Sequence, residues 1–186
     1  MRFFILLVVA MFAGLVVQHF IAPLPPFGAR VLLMPIIMFY GALAFPVPGM
    51  LALAFFGGLM WDALHVRVDL AGEGSVEVAL GWSIVMYAIF GALMNGFRPL
   101  FQRGRWEIHC LLSGACTSVI VLAEYLMRTF RQEQVLLLFN KEVWWRIGGA
   151  GLIAALLSPF FFFALNYLAF LSGYDPQPVR NTKRPT

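Results

Sequence analysis

The sequence predicts an all-α membrane protein, a bundle of about six transmembrane helices, on three observations. Of its 186 residues, 61% are apolar and only 12% are charged, and the mean hydropathy is +0.84. Soluble domains carry about 25% charged residues, so this chain has too little polar sequence to cover a water-facing surface. Six membrane helices of about 20 residues need about 120 residues, close to the apolar supply. These values exclude a soluble enzyme, a disordered chain, a collagen and a small disulfide scaffold.

Three apolar segments occupy the first third of the chain. The first, at about 3–21, is longer than the hydrophobic region of a signal peptide and lacks an A-x-A cleavage site, so we expect it to stay as a span. It ends at the proline-rich residues 23–26, which cannot continue a helix. The second, 31–45, is short for a bilayer core of about 30 Å. The uncharged corner 46–49 predicts a tight hairpin into the third segment, 47–64.

Three further segments follow a polar stretch at 65–77. They lie at 78–97, 108–127 and 147–171, and the last contains Pro159, which predicts a kink. The end of the chain is polar and rich in proline, which is typical of disorder. We therefore expect one six-helix transmembrane domain over residues 1–173 and a disordered tail over 174–186.

The connection between the fifth and sixth segments has an apolar centre at 135–139. That centre is too short to cross a membrane. Trp144 and Trp145 stand next to Lys141 and Arg146, and aromatic and basic residues together are typical of the membrane interface. One interpretation is a helix lying in the interface with the two tryptophans as anchors. The alternative is a loop packed on the end of the bundle.

The net charge of +4 at pH 7 and the pI near 9.4 raise the question of nucleic acid. No stretch combines several basic residues with interleaved aromatics, so we expect no nucleic-acid partner. The excess is typical of basic residues that flank spans in contact with lipid. With the N-terminus inside, seven basic residues fall on the inner side and six on the outer side. That difference decides little, and both termini inside is only the favoured orientation.

Catalytic and metal-binding patterns are missing from the sequence. Cys110 and Cys116, with His109 beside them, match no zinc spacing. There is no H-E-x-x-H motif, nucleophile elbow or phosphate-binding glycine loop. We therefore expect no catalytic residues, no metal and no cofactor, and we predict that the chain is not an enzyme.

Ionisable residues inside apolar segments are costly and are therefore candidates for function. If the N-terminus is inside, His19, Asp62 and Glu124 all lie near the outer ends of their helices. One hypothesis is that they share a polar pocket opening outward. The alternative is that His19 and Glu124 simply sit at the water boundary. Other residues could join the pocket or neutralise its acids: Gln18, Arg67 and Arg128.

Small and amide side chains within the segments predict helix contacts. Small residues spaced four apart favour close packing of membrane helices, and they occur as Ala54 with Gly58, Gly114 with Ser118, and Gly151 with Ala155. Asn166 is expected to hydrogen-bond another helix. Asn95 is expected to cap the end of its own segment.

The element Gly58-Leu59-Met60-Trp61-Asp62 ends the third segment and follows the Pro/Gly hairpin at 46–49. A glycine-containing loop and an apolar segment with a tyrosine follow, here with Gly81 and Tyr87. Over about residues 30–100 this pattern resembles MreD, the rod shape-determining membrane protein, with its G-L-x-x-D element. The residues that the resemblance carries over are Gly58, Leu59 and Asp62.

The resemblance implies a non-catalytic scaffold of the bacterial cell-elongation machinery, which acts in cell shape and lateral peptidoglycan synthesis. It implies a multi-pass protein of the inner membrane with both termini cytoplasmic. The implied partners are a bitopic MreC-type protein, the MreB filament, and the elongation glycosyltransferase and transpeptidase. The implied fold is similar to the substrate-binding subunits of energy-coupling-factor transporters. An alternative function is a small-molecule-binding subunit of such a transporter, with His19, Asp62 and Glu124 holding the ligand.

Overall fold

The computed structural model describes residues 2–24, 28–64, 67–68, 76–77, 81–102, 106–131 and 141–174. Within these ranges the chain forms seven helices and one antiparallel pair of two-residue strands. In order they are α1 (Arg2–Phe20), α2 (Leu33–Ala44), α3 (Val47–Leu64), β1 (Arg67–Val68), β2 (Val76–Glu77), α4 (Trp82–Gly96), α5 (Arg98–Gln102), α6 (Trp106–Arg131) and α7 (Lys141–Leu171). Arg67 pairs with Glu77 and Val68 with Val76.

The prediction of a helical chain is confirmed for the described residues apart from the short β1–β2 pair, since each predicted apolar segment forms a helix. Four helices, α1, α3, α6 and α7, are long and apolar enough to cross a membrane. The other two, α2 and α4, are apolar but shorter, with 12 and 15 residues. Six crossings therefore remain a prediction, while four candidate spans are established by length and composition.

Helix α2 lies at the centre of the bundle. All of its residues are buried, and it contacts each of the other six helices of the described chain. At 1.5 Å per residue it is about 18 Å long, well short of a hydrocarbon core of about 30 Å. Its neighbours extend beyond it, and they leave room at its ends for polar groups.

Polar side chains of other helices satisfy both ends of α2. Gln18 Oε1 accepts hydrogen bonds from the Leu33 and Met34 amides at 3.0 and 3.4 Å. At the other end, Asn95 Nδ2 donates to the Ala42 and Phe45 carbonyls at 2.7 and 2.8 Å. The predicted role of Asn95 as a cap of its own helix is wrong, because its amide group is directed at α2 instead. Backbone groups at the end of a buried helix need such partners where no water is present.

Replacing Asn95 by leucine should destabilise the bundle, because two carbonyls at the end of α2 lose their donor. Leaving buried polar groups unsatisfied costs about 1–3 kcal/mol. Unfolding in detergent, followed by circular dichroism, should show a lower midpoint for Asn95→Leu. The control is Ala92→Leu, at an exposed position of the same helix. Equal midpoints for the two variants would contradict the capping role.

Helices α6 and α7 cross at the small residues that the sequence singled out. A Cβ added to Gly114 would lie 2.9 Å from both the Ala155 Cβ and the Gly151 carbonyl oxygen. Ser118 Oγ donates to the Ile147 carbonyl at 3.3 Å. The prediction of close packing is therefore confirmed for these two helices, and the contact is internal to the chain.

Two polar contacts tie α7 to the rest of the core. Tyr40 of α2 donates through its hydroxyl to Asn166 Oδ1 at 3.3 Å, which confirms the predicted contact of Asn166 with another helix. Deeper in α7, Ser158 Oγ lies 2.7 Å from Nδ1 of His109 on α6, and both residues are fully buried. His109 therefore joins two helices.

Helix α7 begins before its predicted start at residue 147. Past its end, the chain still packs on the bundle through Tyr174. Because α7 starts at Lys141, Trp144 and Trp145 belong to the last helix and not to a separate interfacial one. They are 57% and 53% exposed. Tyr174, the first residue of the predicted tail, stacks on Phe3 with ring centroids 4.9 Å apart. The predicted interfacial centre at 135–139, most of the 65–77 stretch, and the rest of the tail lie outside the described residues.

Candidate functional site

The end of α3 is joined to the start of α4 by Asp62. Its Oδ2 accepts a hydrogen bond from the Gly81 amide at 2.7 Å, and Asp62 is only 9% exposed. Gly81 is the residue before α4 and has a φ of +101°, a conformation that glycine adopts without strain. A carboxylate at this position also interacts favourably with the positive end of the α4 dipole. Asp62 therefore caps α4.

Gly58 brings the same two helices into backbone contact one turn earlier on α3. A Cβ at this position would collide with the backbone nitrogen and Cα of Ile84. Gly58 contacts Ile84 and Asp62 contacts Gly81. The first two residues of these contacts are four apart and the last two are three apart, so each pair spans about one helical turn. Leu59 is half-buried beside them. The G-L-x-x-D spacing thus places a close approach and a cap on one face of α3.

A cavity of about 740 Å³ opens at one end of the bundle. Helices α1, α3 and α6 end there, and α2 and α7 begin there. The cavity lies next to residues 30–32, just before the short α2 begins at Leu33. Its lining residues are Gln18, His19, Phe20, Ile21, Ala22, Pro23, Gly28, Arg30, Val31, Leu32, Trp61, Val121, Glu124, Tyr125, Arg146 and Ala150.

The structure brings together two of the three ionisable residues proposed for a pocket. His19 and Glu124 both line the cavity, and so does Gln18. Asp62 is not among the lining residues, because its carboxylate is directed at the start of α4, whereas its neighbour Trp61 does line the cavity. The Arg67 and Arg128 side chains lie outside the described parts of the chain.

Sequence reasoning missed Arg30 and Arg146 as cavity residues. Arg30 precedes α2, and Arg146 lies in the second turn of α7, so both are at the end of the bundle where α1 and α6 finish. Their charge could have indicated this position, since Arg30 and Arg146 are two of the six basic residues that fall on the outer side when the N-terminus is inside. Tyr125, next to Glu124 on α6, was also missed.

Local contacts position the side chains around the cavity. Arg146 Nη1 donates to the Tyr125 hydroxyl at 3.4 Å. A Cβ on Gly28 would lie 3.2 Å from Arg146 Nε, so the guanidinium passes directly over that glycine. Gly28 has a φ of +57°. His19 Nδ1 donates to the Leu15 carbonyl at 3.1 Å.

The cavity wall has a positive excess. Arg30 and Arg146 contribute two positive charges and Glu124 one negative charge. Among the residues that the structure describes, no three His, Cys, Asp or Glu side chains are grouped so as to hold a metal ion. The polar groups can therefore bind an anionic ligand by charge and hydrogen bonds, with Glu124 as an acceptor on the same wall.

The wider comparisons give no relative for this arrangement. No family model, curated protein or solved structure matches the chain.

Proposed function

We propose that the chain is a non-catalytic membrane scaffold of the bacterial cell-elongation machinery, as its resemblance to MreD implies. The observation that carries the proposal is the joint between α3 and α4. The residues of the G-L-x-x-D element that the resemblance carries over include both Gly58 and Asp62, which form that joint. A structural use of this element fits a protein that acts by presenting a fixed surface.

The proposed scaffold would bind the membrane spans of its membrane-embedded partners inside the bilayer. The exposed sides of its helices are apolar, and α7 carries a continuous stripe at helical spacing: Leu152, Leu156, Phe160, Phe163, Tyr167 and Phe170. Packing of such surfaces against partner helices is driven by shape rather than by hydrophobicity, because lipid is equally apolar. The expected partners are an MreC-type bitopic protein, the MreB filament, and the elongation glycosyltransferase and transpeptidase. The chain itself would lie in the inner membrane with both termini cytoplasmic.

Changing Asp62 tests the proposal, because the surface formed by α3 and α4 should depend on its cap. Asp62→Ala removes the acceptor, whereas Asp62→Asn keeps an oxygen and loses the charge. In native cells carrying tagged chain, Asp62→Ala should lower recovery of the MreC-type partner several-fold and round the cells. Asp62→Asn should be intermediate.

The control is Glu107→Gln, which removes an exposed acid at the start of α6 and should leave recovery and shape unchanged. If the unaltered chain recovers no MreC-type partner, the scaffold proposal is wrong. If the partner is recovered equally with Asp62→Ala, docking does not depend on the joint.

A second candidate function is supported by the cavity. A substrate-binding subunit of an energy-coupling-factor-type transporter would need a ligand site at one end of its bundle, and a volume of about 740 Å³ lies within the usual range for small-molecule sites. The same purification separates the two candidates, since a transporter subunit should recover a pair of ATPases in place of elongation proteins.

A further inference from the structure

The end cavity combines two arginines, one acid and an apolar wall. We propose that it binds a phosphate group carried by an amphiphilic ligand, with Arg30 and Arg146 as the phosphate ligands. This inference goes beyond the scaffold role and does not depend on either candidate function. It follows from the charge of the lining residues, the contacts of Arg146 and the position of the cavity.

The charge of the wall favours an anion. The lining residues include two guanidinium groups and one carboxylate, so their formal charges sum to +1. Guanidinium groups bind phosphate oxygens through pairs of parallel N–H donors. A phosphate between Arg30 and Arg146 would neutralise the excess.

Two contacts orient the exposed Arg146 side chain. Its guanidinium donates to the Tyr125 hydroxyl at 3.4 Å and lies over Gly28, where an added Cβ would come within 3.2 Å of Nε. Arg30 follows Gly28 by two residues and lines the same cavity. Fixing one of two arginines reduces the ordering cost of binding.

The other lining residues indicate what the ligand carries besides the phosphate. Glu124 can accept a hydrogen bond from a hydroxyl or ammonium group next to the phosphate. Apolar side chains complete the lining, including Ile21, Val31 and Val121, and they fit the non-polar part of the same molecule. A phosphate, a neighbouring donor and an apolar portion together describe an amphiphile.

The position of the cavity matches a phosphate from the membrane surface. Exposed Trp144 and Trp145 directly precede Arg146 on α7, and tryptophan is enriched at the depth of lipid headgroups. The phosphate could therefore belong to a lipid, or to a soluble phosphate ester that enters from the water. The two sources share the same chemistry, and the experiment separates them.

The lipid arm uses the purified full chain and native mass spectrometry with added phosphatidylglycerol or phosphatidylcholine. The unaltered protein should retain phosphatidylglycerol, and the double variant Arg30→Gln/Arg146→Gln should retain at least five-fold less. Lys141→Gln, which removes an exposed cation near the start of the same helix but outside the cavity, should bind as the unaltered protein does. Arg30→Gln alone changes an exposed residue outside the helices and should show a partial loss.

The soluble arm uses the same variants in phosphatidylcholine nanodiscs with glycerol 3-phosphate. If glycerol 3-phosphate raises the unfolding temperature, both glutamine substitutions abolish that rise, and phosphatidylglycerol is not retained, then the site belongs to a soluble ester and the amphiphilic part of the proposal is wrong. Retention of phosphatidylglycerol with no such rise would assign it to a lipid. If neither probe binds, or if binding is equal in Arg30→Gln, the double variant and Lys141→Gln, the proposal is wrong.

Discussion

Replacing Gly58 by alanine should separate α3 from α4 and lower the free energy of unfolding by about 3 kcal/mol. The added methyl group would collide with the backbone of Ile84, and a backbone cannot rotate away as a side chain can. Overpacking a core costs about 1–3 kcal/mol even where side chains can adjust. Since van der Waals contact is a main source of helix association in lipid, the loss should be at the upper end of that range.

The matched control is Gly57→Ala on the same helix. There the new Cβ would meet only the terminal methyls of Met11 and Met34, each at 2.6 Å, and these flexible ends can move. Both variants gain about 1 kcal/mol of helix propensity, so the difference between them isolates the packing. Unfolding by SDS in mixed micelles gives both free energies. Equal values for the two variants would show that α3 and α4 do not meet at Gly58.

Replacing Gly151 by alanine should loosen the crossing of α6 and α7 by a comparable amount. Its Cβ would collide with Ser118 Oγ and would lie 2.7 Å from the Gly114 carbonyl oxygen. The serine could rotate, at the loss of its bond to the Ile147 carbonyl, but the backbone oxygen could not. We expect a loss of about 2–3 kcal/mol and a lower unfolding temperature.

Gly148→Ala supplies the comparison for this crossing, because no atom outside the local backbone lies within 4 Å of its added Cβ. It should be neutral or stabilising by up to about 1 kcal/mol. A pulsed-labelling measurement at Cys116 of α6, which is 3% exposed, should show faster reaction with a maleimide in Gly151→Ala only. Equal labelling in both variants would contradict the crossing at this glycine.

Hydropathy alone predicted much of the fold. The third segment, 47–64, coincides with α3 (Val47–Leu64) because a Pro/Gly hairpin and a polar stretch bound it. The bounds of α2 and α4 were less predictable. The backbone groups at the start of α2 are bonded by Gln18, and those at its end by Asn95. Those residues lie 15 and about 50 positions away in the chain, and no local pattern indicates which helix an amide group will serve.

The sequence predicted the end of the bundle at which the candidate residues lie, but not the direction in which each side chain points. Counting residues from helix ends placed His19 and Glu124 at one end of the bundle, and both line the cavity. The same reasoning placed Asp62 with them, but whether a side chain faces a cavity or a neighbouring helix depends on rotation of the helix about its axis. For α3 that rotation is set by the contact of Gly58 with Ile84, which sequence spacing alone does not show.

The short, enclosed α2 has a consequence for biogenesis. The insertion machinery recognises stretches of about 20 apolar residues, and a helix of 12 residues offers too little length to be released into lipid by itself. It must leave the translocon together with its flanking helices α1 and α3, which shield it from acyl chains. We therefore expect the early part of this protein to enter the bilayer as one unit rather than helix by helix.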